Sequence, residues 1–233
     1  ENLMNNKLRS VYLVLIILIT CVSNLLIAKG GFSGGIGIGM PVGGLSNWYS
    51  ITPKLTLTYY NNPNPDTRVL VETHFQKFTD GFIEDRDFQW LIDYQYYPSP
   101  EAKANMTWND FILKIQQKWH RYDGLSSSFS PFFSYGFGLY NYTQKVSGLV
   151  YPGQSTTPLD QTFLLNTIKD RRVAWGALAG IGGDLNIGNK MTLIINLEYH
   201  AAIGYLRAFE DWGLYEVFPI QFLSFDIGVG YDL

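Results

Sequence analysis

The residues of this chain best suited to chemistry are its three histidines, His74, His120 and His200, together with nearby carboxylates. Glu198 and His200 are separated by one residue. In an extended chain that spacing puts both side chains on one face. The pair is then a carboxylate beside an imidazole, the components of proton transfer. Acyl transfer to or from a lipid also needs a nucleophile oriented by a base, and no serine adjoins His200 in the sequence. Metal ligation by His74, His120 and His200 would require three separate segments to converge. The run Gly35-Ile36-Gly37-Ile38-Gly39 is no nucleotide loop, since its glycines alternate as one face of a strand does. No catalytic, metal or cofactor site is therefore expected, and a lipid-modifying enzyme built on His200 and Glu198 is kept as an alternative.

These residues sit on segments with a two-residue hydrophobic period, the signature of a strand with unlike faces. The final segment, 223–233, separates completely: Leu223, Phe225, Ile227, Val229, Tyr231 and Leu233 against Ser224, Asp226, Gly228, Gly230 and Asp232. The same period runs through 32–42, 52–60, 68–78, 109–120, 130–142, 173–187 and 191–205. On the polar faces fall Lys54, Arg68, Glu72, His74, Asp110, Lys114, Lys118, His120, Asp184, Glu198 and His200, with Ile112 and Ile194 as apolar misfits. The apolar faces carry Leu55, Val71, Phe111, Phe137 and Trp175. The aromatics Tyr59, Tyr60, Trp119, Tyr122, Tyr140, Tyr142, Trp175 and Tyr199 are expected as an interfacial girdle on that apolar side.

Composition agrees with a β protein that faces something other than water. Charged residues make up 16% and aromatics 16%, with 23 glycines and a net charge of −3. No basic cluster dense enough for nucleic acid is present. The one cysteine, Cys21, precedes the alternating segments, so a disulfide or thiolate metal site is not expected beyond it. Lys7 and Arg9 followed by the apolar run 11–19 read as an export signal. Residues 1–28 are thus expected to be a signal segment, helical if retained, and 29–233 a single barrel domain.

Connections give an independent indication. The turns at 61–66, 123–128 and 188–190 are short, and 43–51, 79–107, 143–170 and 206–220 are long. Strict alternation of short turns and long loops suits an outer-membrane barrel. The expected fold is all-β: a transmembrane antiparallel up-and-down β-barrel of eight strands, with ten as the alternative. Phe88 to Tyr97 also alternates, and is expected as a β-arm within the second long loop.

The glycine-rich opening 35–43, the aromatic run 133–140 and the ending 225–233 resemble the small outer-membrane β-barrels of the OmpA/OmpX-like type. The resemblance implies that Asp226, Gly228, Tyr231 and Leu233 form an assembly signal read by the outer-membrane assembly machinery. It also implies a Gram-negative outer membrane as the location and outer-membrane lipid as the surroundings. An eight-stranded barrel has an interior only wide enough for side chains to fill. Arg68, Glu72, His74, Asp110, Lys114, Lys118, His120, Asp184, Glu198, His200 and Asp226 are therefore expected to pair within the lumen as a polar network. The resulting functional expectation is a structural, adhesion or envelope-interaction role through the outer loops, with a narrow porin as the alternative. The aromatics of 79–107 (Phe82, Phe88, Trp90, Tyr94, Tyr96 and Tyr97) are candidates for contact with a surface protein or glycan.

Overall fold

Each of the eight alternating segments forms a strand in the computed structural model of the protein. They are β1 (Gly30–Val42), β2 (Thr52–Asn64), β3 (Thr67–Phe78), β4 (Lys103–Lys118), β5 (Phe129–Ser147), β6 (Ile168–Asn186), β7 (Met191–Ile203) and β8 (Ile220–Asp232). The structure describes residues 30–79, 87–89, 96–98, 102–119, 129–148, 150–151, 163–164, 166–204 and 219–233. The expected signal segment and His120 lie outside the described residues, as does Tyr122.

Sequence neighbours pair antiparallel, and β1 pairs with β8 from Gly31↔Asp232 to Val42↔Gln221, which closes the barrel at eight strands. Closure leaves no edge strand, so every wall segment has a backbone partner on both sides. The ten-stranded alternative is corrected here. Asp87–Gln89 pairs with Tyr96–Pro98, and Val150–Tyr151 with Phe163–Leu164, each as a two-stranded sheet separate from the wall. The first of these ribbons is the arm expected between Phe88 and Tyr97.

Turn chemistry matches the two ends. Between β2 and β3 the side-chain oxygen of Asn64 accepts from the backbone N–H of Asp66 (3.1 Å) and Thr67 (2.7 Å), a side-chain-made turn. Gly30 and Leu233 meet at this same end, where Leu233 N–H donates to the Gly30 carbonyl at 2.9 Å. At the other end Gly43, with φ of +60°, turns the chain into a short 3-10 helix, Gly43–Asn47. Three strands run further than the alternation suggests. β4 has 16 residues, and β5 and β6 have 19 each. Residues 103–107, 143–147 and 168–170, expected in loops, are therefore wall. About 9–11 residues suffice to cross a membrane, so this side of the barrel projects beyond it at the long-loop end.

Burial separates the two faces. Ile36 (72% exposed), Phe111, Leu113, Phe137, Val173 and Ile203 point outward, whereas Lys114, Glu198 and His74 are within 1% of full burial. An apolar exterior around a polar interior inverts the order of a water-soluble protein and is that of a membrane-spanning barrel. Of the expected girdle, Trp119, Trp175 and Tyr199 are outward. Tyr60, Tyr140 and Tyr142 are not: each is 1% exposed or less and lies inside. Their parity matches that of Thr58, Gly138 and Gln144, and parity, not aromatic character, decides the face.

Candidate functional site

Among the described residues the wall brings the expected polar side chains together in the lumen, which is built in three levels. The middle level centres on Lys114 of β4. Its Nζ donates to both oxygens of Glu72 on β3 (2.8 and 2.7 Å) and to Oε1 of Glu198 on β7 (2.8 Å). His74 lies between two carboxylates, with Nε2 2.7 Å from Glu72 and Nδ1 3.0 Å from Asp110. In that geometry both ring nitrogens act as donors. Neutral donors complete the shell: Thr58 donates to Glu72 (3.0 Å), Ser134 to Glu198 (3.2 Å) and Trp108 Nε1 to Asp110 (3.2 Å). Lys54 of β2 pairs with Asp226 of β8 at 2.7 Å and also bonds Ser224. Thr56 and Ser224 both donate to Asp226. A buried carboxylate is tolerated only when paired and hydrogen-bonded, and each of these is.

Toward the short turns, Arg68 and Lys118 both face Asp184, at 3.1 and 3.3 Å. The Arg68 guanidinium lies 4.5 Å over the Tyr60 ring, and the Tyr60 hydroxyl donates to Asp232 at 2.7 Å. Toward the long loops the lumen turns apolar. Trp108 packs against Tyr142 (5.6 Å, stacked), Tyr140, Phe78 and Phe222, and Leu45 and Tyr49 of the first long loop join the same cluster. His200 joins the two levels. Its ring stacks on Phe222 at 4.4 Å, its Nδ1 is 3.3 Å from the Tyr140 hydroxyl, and its Nε2 is 3.6 Å from Glu198.

Small residues make room for these large ones. A Cβ added at Gly176 would lie 2.5 Å from the Tyr140 ring, and one at Gly180 would lie 2.5 Å from Cγ of Glu198. The glycine face of β6 is thus a surface for close approach. A cavity of about 40 Å³ lies beside Thr56, Glu72, Lys114, Asn196 and Asp226. That is room for a few waters and is not a path through the barrel.

Of the expected network, Arg68, Glu72, His74, Asp110, Lys114, Lys118, Asp184, Glu198, His200 and Asp226 are placed inside as described. Lys54, although expected on the polar face, is a further member of the ion pairs. Trp108 and Phe222 lie just beyond the expected strand starts at 109 and 223, and extending the alternation by one residue would have found both. Glu72, His74 and Glu198 offer ligand atoms within 4.8 Å of one another, a spacing that suits a metal. Lys114 binds both carboxylates, however, and supplies the positive charge there. The expected assembly residues all lie on or next to β8, with Asp226 turned inward and Tyr231 (49% exposed) and Leu233 (67%) outward.

A closed eight-stranded antiparallel wall, apolar outside and filled with paired polar side chains inside, defines a small membrane-spanning β-barrel of outer-membrane architecture. No family model matches the chain, and no curated protein sequence matches it. Among solved structures it is similar to Ail, the attachment invasion locus protein of Yersinia pestis, at 12% identity, with 88% of this chain and 99% of that one covered and a TM-score of 0.47. It is also similar to Neisserial surface protein A (9% identity, 88% and 96% covered, TM-score 0.45). The outer membrane protein OprG of Pseudomonas aeruginosa is a third such structure (13%, 88% and 93%, 0.43). The assignment to a membrane barrel rests on the wall and its faces in this chain.

Proposed function

We propose that this protein is a non-conducting, non-enzymatic barrel of the outer membrane that acts through the surface it presents at its long-loop end. The role would be structural, adhesive or one of contact within the envelope. The observation that carries this reading is the double closure of the lumen: an aromatic layer around Trp108 and Phe222 stands in series with the Lys114–Glu72–Glu198 layer. The long β4, β5 and β6 support it too, since they carry a rigid wall out to the loops, where binding functions concentrate. The aromatic residues of 79–107 are proposed as contacts for a surface protein or glycan. Most of that stretch lies outside the described residues.

The arrangement around His200 speaks for a structural role over lipid chemistry. Ser134 donates to Glu198 and not to His200, and all three side chains are buried inside the wall, away from any lipid ester. The last strand, with Asp226, Gly228, Tyr231 and Leu233, is proposed as the segment that the assembly machinery reads. Recording across a planar lipid bilayer tests the central point. Refolded protein, verified by its shift in gel mobility on heating, is expected to give no stepwise conductance. Discrete, reproducible steps from the unaltered protein would replace this reading with that of a narrow solute channel.

A further inference from the structure

Charge on the outward face of the wall is confined to one region. Among the described residues of the eight strands, outward positions hold no aspartate or glutamate. They hold five cations: Lys77 on β3, Lys103 on β4, Lys145 on β5, and Lys169 and Arg171 on β6, all exposed. These four strands are consecutive around the barrel, and the other four carry none. All five lie toward the long-loop end, past the apolar outward residues of their own strands. Lys77 follows Phe75, Lys145 follows Leu139, and Arg171 and Lys169 lie beyond Val173.

The register brings them together. Lys145 stands directly opposite Lys169. One row closer to the membrane, Arg171, Thr143, Thr107 and Lys77 are partners in turn across four strands. Like charges directly opposite destabilise a sheet, and among the described residues none of the five makes an ion pair. Arg171 donates its Nε to Asn141 (3.4 Å), and Asn141 donates to Asn109 (3.4 Å). An arginine has five N–H donors, so most of this guanidinium is left for another acceptor. Outward along β4 and β5 the order is therefore apolar, then amide and hydroxyl, then cationic, and along β3 and β6 the cations follow the apolar residues directly.

That order follows the layers of a lipid leaflet: acyl chain, linkage, phosphate. A strand rises about 3.3 Å per residue and tilts by about 40°. Arg171 then stands roughly 5 Å beyond Val173, within a headgroup layer about 5–8 Å deep, and Lys169 roughly 10 Å beyond, just past that layer, where a long side chain reaches back into it. We propose that the outward cluster of Lys77, Lys145, Lys169 and Arg171 is a binding site for the phosphates of outer-leaflet lipid headgroups, with the acyl chains lying on Phe75, Phe111, Leu139 and Val173 below. Arginine takes phosphate in a two-pronged hydrogen-bonded pair, and an anion between Lys145 and Lys169 would relieve their repulsion. A soluble anion would gain nothing from the exposed apolar wall beneath, which is why lipid is the occupant.

The test compares the full protein with the variant Lys145→Gln/Lys169→Gln/Arg171→Gln, both shown to be folded by heat-dependent gel mobility. Each is reconstituted in phosphatidylcholine vesicles containing a small fraction of dansyl-labelled lipid A, which carries two phosphates. Energy transfer from tryptophan reports how far the labelled lipid is enriched around the barrel. The unaltered protein should enrich lipid A over its dephosphorylated form, with a steep loss as salt is raised. An interfacial cation contributes a factor of about five in association, so the triple variant should lose more than tenfold. Equal enrichment by both proteins, or equal enrichment of the dephosphorylated lipid, overturns the proposal. So does intact lipid enrichment in a variant that has lost binding to heparin, a soluble sulfated polysaccharide, since the cluster would then belong to a glycan. None of these outcomes bears on conductance, so the site and the closed lumen stand or fall separately.

Discussion

The two upper levels of the lumen close the same tube by opposite means. Around Trp108, Phe222 and Tyr142 the closure is contact between rings, with no charge involved. One turn of the wall further in, around Lys114, it is charge and hydrogen bonding between strands that are distant in sequence. Ring packing depends on volume and shape, and tolerates a swap that keeps both. An ion cluster depends on balance, because removing one member leaves its partners buried and unpaired. The comparison teaches that one lumen can hold two kinds of closure, with different failure modes.

The largest effect should therefore come from the charged level, and shape should not rescue it. Lys114→Met keeps most of the side-chain length but leaves Glu198 without its close cation and Glu72 with His74 alone, and should cost about 3–5 kcal/mol. The midpoint of urea unfolding in detergent micelles measures this. The triple variant Lys114→Met/Glu72→Gln/Glu198→Gln removes all the unpaired charge and should recover most of that loss. A triple variant no more stable than Lys114→Met would show that the ionic description of this level is wrong.

A slightly smaller effect is expected in the aromatic level, where shape should rescue. Phe222→Ala removes a ring that stacks on His200 and meets Trp108, at a cost of about 3 kcal/mol. Phe222→Leu should return to within about 1.5 kcal/mol of the unaltered protein. If alanine and leucine are equally damaging in the same unfolding assay, the contrast between the two levels disappears.

The smallest effect belongs to the short-turn end, where closure is partly solvated. Tyr60→Phe removes only the hydroxyl that donates to Asp232 at 2.7 Å. The ring under Arg68 remains, so the loss should be about 1 kcal/mol. A loss as large as that of Lys114→Met would mean that this end, and not the centre, holds the barrel shut.

Much of the architecture was legible in the chain itself. The two-residue period in residues 223–233 and its seven counterparts locates every strand of the wall, and it also states which face each residue takes. Even the misfits Ile112 and Ile194 fall inside as alternation requires. Where aromatic character was weighed above parity, at Tyr60, Tyr140 and Tyr142, the expectation placed rings on the lipid side that belong to the lumen. Strand ends were the other weak point. Residues 103–107, 143–147 and 168–170 carry polar outward side chains that look like loop, because there the wall has left the hydrocarbon and apolar residues are no longer needed.

Period and face are local properties, set by the geometry of an extended backbone, and so the sequence alone determined them. Partnership inside the lumen is not local. Lys114 meets Glu198 across 84 positions, and Lys54 meets Asp226 because β1, lined inward by glycine, lets β2 and β8 reach past it. Which cation neutralises which carboxylate, which rings seal the tube and which lysines gather on one outer flank depend on the register and closure of eight strands. Only the tertiary structure decided these, because each is a distance between strands that no spacing along the chain encodes.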